Sequence, residues 1–466
     1  SQTELEIISQ LYYQNAELYA GTDKTGTQLG DTTDFDSTYA RFESLDYTIS
    51  AGETQTMSLF VDIDSAASDS GVTFGIDSSD SLFYDEEGSE VNLDGGSNTS
   101  STTINVNSEG TLTVDVNDEP VGDVITPGSE QTLGSWTFIS EDDEVDLTDL
   151  YFANDFDEDG NADNDNDSNI QELRVYVNDE PVGSGKPFTS GTVHFDFSSD
   201  PIVVAKDSTE DVELRAILNE ITNESQTNAR VRPVLYSITG VGSGGSNLTS
   251  VTGLENAVLD GGTYANYGGT NSKEANEFVM TASRPVFTTN TDMADTQLVN
   301  GEVDVYAFDV YAEGGPVSLK YVTLTVSGVS GSSAMADGDV ASDMNSGKIY
   351  RGTTEKTATV TETALEITIE FDSVQTINEG ETATFVYQST LSNFTVVDSS
   401  DYLSTRIVDS GSTWEAATTT SALTSADYLK WSDNTGTRGS LTDAHWMNDY
   451  LLNELDTELD VVRLSP

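Results

Sequence analysis

The chain contains no cysteine. Disulfides, zinc–thiolate sites, iron–sulfur clusters and thiol catalysis are therefore excluded. Histidine is nearly absent as well: His194 and His445 supply all the imidazole, and they lie far apart in the sequence. Positive charge is scarce. Across 466 residues, 18 Lys and Arg face 82 Asp and Glu, a formal charge of −64. Such a chain cannot displace counterions from nucleic acid, and it is repelled by an anionic membrane. No apolar run reaches the roughly 18 residues that a bilayer-spanning helix needs, so direct membrane insertion is not expected. Residue 1 is Ser with no signal peptide ahead of it, which reads as a processed product or a piece of a longer precursor.

What is present is enough to build cores. Nineteen Tyr and seventeen Phe are too many for a disordered acidic tail. The length suggests about three domains. Self-repulsion at this charge opposes a compact state. A salty medium or bound divalent cations would relieve it, and a secreted chain without disulfides needs some other staple. Calcium in a structural role is the expected cofactor, and the expected location is extracellular or on a cell surface.

Short segments alternate apolar and polar residues with period 2: Glu302–Phe308 (EVDVYAF), Leu319–Val326 (LKYVTLTV), Leu365–Phe371 (LEITIEF) and Asp211–Leu218 (DVELRAIL). β-branched and aromatic residues dominate them, and Gly, Asp, Ser and Asn separate them, the pattern of strands and turns. Two motif pairs recur in the same order. Glu17–Thr22 (ELYAGT) matches Lys348–Thr353 (KIYRGT), and Gly52–Thr56 (GETQT) matches Gly380–Thr384 (GETAT). The middle of the chain repeats the scheme more loosely, with Leu173–Val177 and Lys206–Leu218. These repeats predict an all-β chain of three tandem immunoglobulin-like sandwiches over residues 1–106, 107–285 and 286–410, followed by an aromatic tail from 411 to 466.

The second and third modules each begin with an extra strand that the first lacks: Leu112–Val116 followed by Leu133–Ser140 in the second, and Glu302–Val310 in the third. A sandwich missing a strand exposes an edge that invites another. The expected acceptor edge is the first strand of module one, with Leu5, Ile7, Ile8, Leu11 and Tyr13. At the other end, Glu458, Leu459, Asp460, Val461, Val462, Arg463 and Leu464 (ELDVVRL) follow the pattern of EVDVYAF. This segment is a candidate donor strand for module one of the next subunit, a head-to-tail contact that builds a homopolymer. Two alternatives stand beside it: the repeats continue in a longer polypeptide, or the last strand packs on its own module.

The sharpest local motif is the acidic run at 154–169. Asp155, Asp157, Asp159, Gly160 and Asp163 follow D-x-D-x-D-G-x-x-D, in which alternate carboxylates converge on one centre and Gly supplies the turn. Asn161 would add its carbonyl. The twelfth position is Asn166 instead of Glu, so Asp165 or Asp167 would close the shell. Weaker acidic groups lie at Asp62, Asp64 and Asp69, at Asp85–Glu90, at Glu141–Glu144, and at Asp31, Asp34 and Asp36. Each reads more simply as solvated surface. Sequons at Asn98, Asn166, Asn223, Asn247 and Asn393 permit glycosylation without implying it.

No catalytic motif stands out. There is no G-x-S-x-G, H-E-x-x-H, P-loop or dinucleotide fingerprint. Carboxylate pairs carry no specificity among 82 acids, so the chain is not read as an enzyme. Trp414, Trp431 and Trp446 crowd the tail, either as a platform for surface glycans or as a small core capping module three.

Taken with the D-x-D-x-D-G loop, the G-E-T-x-T turns and the tail segments Tyr428–Asn434 (YLKWSDN) and Ala444–Leu451 (AHWMNDYL), the chain resembles acidic, cysteine-free prokaryotic surface proteins of the S-layer-like and filament-forming kind. The resemblance implies a structural role in a filament, tube or layer ordered by calcium, with an adhesin or carbohydrate-binding protein on a β-sandwich stalk as the alternative. It implies no catalytic residue.

Overall fold

The computed structural model describes residues 5–8, 13–35, 39–43, 45, 47–63, 70–72, 74–76, 81, 83–91, 99–100, 104–106, 110–157, 161–164, 167–223, 226–243, 245, 247–248, 251–252, 254, 273–331, 333–335, 342–363, 365–395, 400–410, 428–435, 446–457 and 459–466. The protein is all-β. Among the described residues helix is confined to short turns such as Asp167–Asn169 and Glu454–Thr457. None is long and apolar enough to cross a membrane.

In the first region the strands that matter are β1 (Leu5–Ile8), β2 (Tyr13–Ala20), β3 (Thr27–Gln28), β4 (Tyr39–Phe42) and β5 (Met57–Ile63). In the second they are β6 (Thr111–Val116), β7 (Gln131–Glu141), β8 (Val145–Asn154), β9 (Ile170–Val177), β10 (Glu180–Lys186) and β11 (Ser208–Leu218). In the third they are β12 (Arg284–Thr289), β13 (Gly301–Glu313), β14 (Val317–Ser330), β15 (Met344–Arg351), β16 (Thr354–Lys356), β17 (Thr382–Leu391), β18 (Tyr402–Arg406) and β19 (Val462–Leu464).

One sheet recurs. In the second region it runs β6-β7-β11-β9-β10, and in the third β12-β13-β17-β15-β16. Each packs against a second sheet, centred on β8 and on β14. The alternation read from the sequence is the reason: in β9 and β11, Leu173, Val175, Val212, Leu214 and Ala216 point inward and are fully buried. Trp136 and Phe138 on β7 meet Phe152 on β8 across the same core, with the Trp136 and Phe152 rings 5.0 Å apart.

The third region absorbs the end of the chain. Leu429–Ser432 pairs with β14, and β19 pairs with β18, so the residues expected to form a separate tail supply strands to the module's own sheet. Trp431 is fully buried and gives its indole N–H to the Asn448 carbonyl at 2.8 Å. Trp446 is also buried, while Trp414 lies outside the described residues. Trp431 belongs to the third region's core, and neither of these two buried tail tryptophans offers a face to a glycan.

The second and third regions share a built joint. Val124–Ile125 runs parallel to Phe278–Met280, and Val124 and Val279 pack into the third region's core. Arg284, where the third region begins, bonds Asp123 and Glu313 at 2.6 Å each and the Val124 carbonyl at 3.0 Å. Asp433 accepts the Ala282 N–H at 2.9 Å from the other side.

Candidate assembly edge and cation loop

The first region carries part of the recurrent sheet. Its order is β3-β2-β5, matching β16-β15-β17. The match holds pair by pair. Tyr13, Gln14, Glu17, Leu18, Tyr19 and Ala20 of β2 oppose Ile63, Asp62, Phe60, Leu59, Ser58 and Met57. Met344, Asn345, Lys348, Ile349, Tyr350 and Arg351 of β15 oppose Leu391, Thr390, Gln388, Tyr387, Val386 and Phe385 in the same way. Both hairpins skip two residues at one bulge, and both place a left-handed residue there, Asn15 (φ 50°) and Ser346 (φ 58°). The Gly21 N–H bonds the Thr56 carbonyl, as the Gly352 N–H bonds that of Thr384, each at 2.8 Å. The two sequence motif pairs therefore mark one hairpin built twice.

The difference lies beyond it. The far side of β17 is covered by β13, and that of β11 by β7. Among the described residues no strand pairs with the far side of β5. Packing follows the pairing. Phe385, Tyr387 and Ser389 of β17 are buried, whereas Met57, Leu59 and Val61, at the corresponding places of β5, remain half-exposed.

This corrects the expected acceptor edge. Strand β1, with Leu5, Ile7 and Ile8, lies between β4 and Gly75–Ile76 and is hydrogen-bonded on both sides. Tyr13 opens β2, which is likewise flanked on both sides, by β3 and β5. Leu11 lies outside the described residues. The physical reason is that neighbours in the sheet are not neighbours in sequence. Among the described residues the uncovered edge lies along β5, some fifty residues after β1.

The candidate donor also has a place in its own chain. Val462, Arg463 and Leu464 oppose Thr405, Ser404 and Leu403 of β18, with Val462 and Leu464 buried. The Ser465 carbonyl accepts the Leu298 N–H at 2.8 Å, and the Arg463 guanidinium lies 4.0 Å from the Tyr402 ring centre. Leu459 packs partly buried against the same core, the Asp460 carbonyl accepts the Thr289 hydroxyl, and Val461 is 48% exposed. Glu458 is outside the described residues. In the isolated chain the strand is thus used in cis and is not free.

The acidic loop follows β8. Asp155, Asp157 and Asp163 bring carboxylate oxygens within 4.8 Å of one another, and Asp155 is 1% exposed. The backbone arranges this. The Asp155 N–H bonds the Arg232 carbonyl, the Asp163 N–H returns to the Asn154 carbonyl at 2.7 Å, and the Phe156 N–H bonds the Asp163 carboxylate at 2.9 Å. Gly191 (φ 74°) passes so close that a Cβ there would sit 2.6 Å from the Asp163 carbonyl oxygen. Burial pushes the Asp163 carboxyl up to about 6, the charges of Asp157 and Asp155 add to that, and the Phe156 N–H opposes it. Asp167 turns to the Gly191 N–H with both oxygens, at 3.1 and 3.2 Å, and its carboxyl is raised by burial. Asn161 lies exposed on the loop, and Asp159 and Asp165 fall outside the described residues.

Sequence reading missed the residues that hold this loop. Asn154 takes the Arg232 N–H on its side-chain oxygen, and Arg230, paired with Glu277, lies 5.0 Å from the Phe156 ring centre. Asn154 stands at the head of the acidic run, but Arg230, Arg232 and Glu277 come from distant segments and leave no local signature. The weaker acidic groups serve turns: Asp34 and Asp62 bond the backbone and side chain of Asn15, and Asp85 accepts the Ser89 N–H. His194 stacks on Tyr151 and meets Asp149 at 2.7 Å. The Thr239 and Thr148 hydroxyls also bond Asp149, so these hydroxyls are directed at the carboxylate and not at the imidazole. His445 is outside the described residues.

No protein-family model and no curated protein matches the chain. Among solved structures it is similar to the major pilin subunit BcpA of Bacillus cereus, at 10% identity over 98% of each chain with a TM-score of 0.21. It is similar to the major pilin RrgB of Streptococcus pneumoniae at 11% identity over 83% of this chain and 56% of that one, TM-score 0.17. A membrane-anchored protein of Corynebacterium diphtheriae gives 8% identity over 87% and 77%, TM-score 0.17. At such scores the likeness carries no argument about this chain.

Proposed function

We propose that the protein is a structural subunit of an extracellular filament, tube or surface layer, assembled head to tail by donor-strand complementation and stiffened by bound calcium. One observation carries the reading: the first region repeats the hairpin of the third, pair for pair, yet among the described residues no strand covers it as one does in the second and third regions. An uncovered seven-residue strand is a template for another chain. Head-to-tail use of one such edge per subunit generates an open polymer. The partner is the protein itself, and no site for catalysis is part of this reading.

Calcium fits the loop by chemistry. Hard oxygen ligands from Asp155, Asp157 and Asp163 converge where like charges otherwise repel. A bound divalent cation would stiffen the connection from β8 to β9 and offset part of the negative charge. Asp159, Asn161, Asp165 and Asp167 are the further ligands that the spacing nominates.

The test is negative-stain microscopy and sedimentation of the full chain in millimolar calcium, beside a chain ending at Asp456. Polymers from the full chain and folded monomers from the shortened one support the reading. Monomers from both sink it.

A further inference from the structure

The covering strands β7 and β13 share a detail that defines what can fill the gap beside β5. Opposite β11, Thr132 faces Arg215 and Gly134 faces Leu214, so Leu133 is an extra residue. Opposite β17, Asp304 faces Gln388 and Tyr306 faces Tyr387, so Val305 is the extra residue. The two bulges occupy the same place relative to the hairpin: Leu214 and Tyr387 each lie two residues beyond Val212 and Phe385, which face Trp136 and Phe308. All six of these side chains, with Leu133 and Val305, are at most 1% exposed. A strand for this slot therefore carries a polar residue, a bulged aliphatic, two residues of any size, and then a large apolar one.

Residues 460–464 read Asp, Val, Val, Arg, Leu. Laid on Asp304–Phe308, they put Asp460 at the polar place, Val461 at the bulge and Leu464 at the place of Phe308. Val461 is the side chain that the cis position leaves 48% exposed, while its counterpart Val305 is 1% exposed. The cis position pairs three residues with β18, whereas β13 pairs ten with β17. Arg463, which faces Ser404 in cis, would face Ser58.

We infer that the C-terminal strand of a second copy of this chain docks along β5, with Leu464 opposite Met57, Arg463 opposite Ser58, Val462 opposite Leu59, Asp460 opposite Phe60 and Val461 bulged between the last two. The inference rests on the assembly reading above and specifies its acceptor and register. Assembly is then an exchange: the strand leaves β18 of its own chain and pairs with β5 of the next, trading its three cis pairs for the trans register and seating Val461 at the bulge.

The absence of cysteine makes the test clean. Two double variants are prepared, Ser58→Cys with Arg463→Cys, and Ser404→Cys with Arg463→Cys. Under mild oxidation in millimolar calcium, the first pair gives a ladder of reducible multimers on a denaturing gel. The second pair closes within the monomer, and its yield falls severalfold once the chain has assembled. In parallel, hydrogen exchange of the β5 peptide in the unmodified chain slows at least tenfold on assembly, a readout that needs no variant to fold. Polymers without the ladder, and with unchanged exchange at β5, overturn this docking while leaving the polymer reading intact. No polymer from the unmodified chain overturns both.

Discussion

Strands β5 and β17 are the same element in two settings. They share a preceding G-E-T-x-T turn, a partner hairpin, a bulge and a register. Among the described residues, one lies inside a five-stranded sheet and the other at the border of a three-stranded one. The local sequence thus dictates the hairpin, and the neighbours dictate the burial. Strand propensity is a statement about fit to a half-buried pleated surface, and the comparison separates those two parts.

The largest effect that breaks the symmetry is a core truncation. Phe385→Ala removes a fully buried ring and should cost about 3–5 kcal/mol, read as a lower melting temperature. Met57→Ala, at the matching place, should cost under about 1 kcal/mol in the isolated chain because its site is half-exposed. If β5 is covered on assembly, the second value rises toward the first in the polymer.

Among the described residues, converging carboxylates distinguish the second region from both neighbours. Removal by chelation should lower the melting of the second region by about 2.7 kcal/mol if the ion was present at a hundredfold over its Kd, with little change in the first. Asp155→Asn should abolish that difference. The pH dependence has a defined sign. The Asp163 carboxyl is raised to about 6 in the fold, so without cation its ionisation opposes folding above that pH. Metal-free protein should therefore gain stability as pH falls from 7 through 6 toward 4, because the fold binds the proton more tightly than the unfolded chain does. Calcium affinity, measured by calorimetry, should fall over the same window as the proton competes.

Arg284→Met tests the joint that links the second and third regions. It strands Asp123 and Glu313, and Asp123 is already raised by burial against the pull of Arg284. A loss of about 2 kcal/mol is expected, below the value for a fully buried pair because Glu313 is half in solvent. The smallest effect concerns the paired bulges. Ser346→Gly should stabilise the third region by about 0.5–1 kcal/mol by relieving a left-handed Ser. Asn15→Gly should gain less, since Asn tolerates that conformation and its side chain holds Asp62 at 2.7 Å.

Much of this was legible in the sequence. ELYAGT with KIYRGT, and GETQT with GETAT, identified the strands that prove to share a register. The D-x-D-x-D-G-x-x-D spacing identified the loop in which the carboxylates of Asp155, Asp157 and Asp163 converge. The edge was misplaced because the order of strands in a sheet is a long-range property: β5 follows β1 by some fifty residues, and only the crossover puts the gap beside it. The role of the tail stays open in the sequence for the same reason. Trp431 reads there as a glycan platform or as a core capping module three, and Leu464 as part of a donor strand or of one packed on its own module; in the fold they complete the sheet of β14 and β18. The supports of the acidic loop, Asn154, Gly191 and Arg232, come from three strand ends and share no motif.

The extra residue in β7 and β13 also bears on what a bare edge will reject. An ordinary β-forming peptide lies flat, with one residue for each one opposite. Along β11 or β17 such a peptide would fall out of phase at the bulge and turn its remaining apolar side chains away from the core. If the gap beside β5 has the same shape, most extended segments that meet it in a crowded medium will find no stable seat. The bulge then acts as a key, allowing an uncovered strand to persist in solution without inviting amyloid-like stacking.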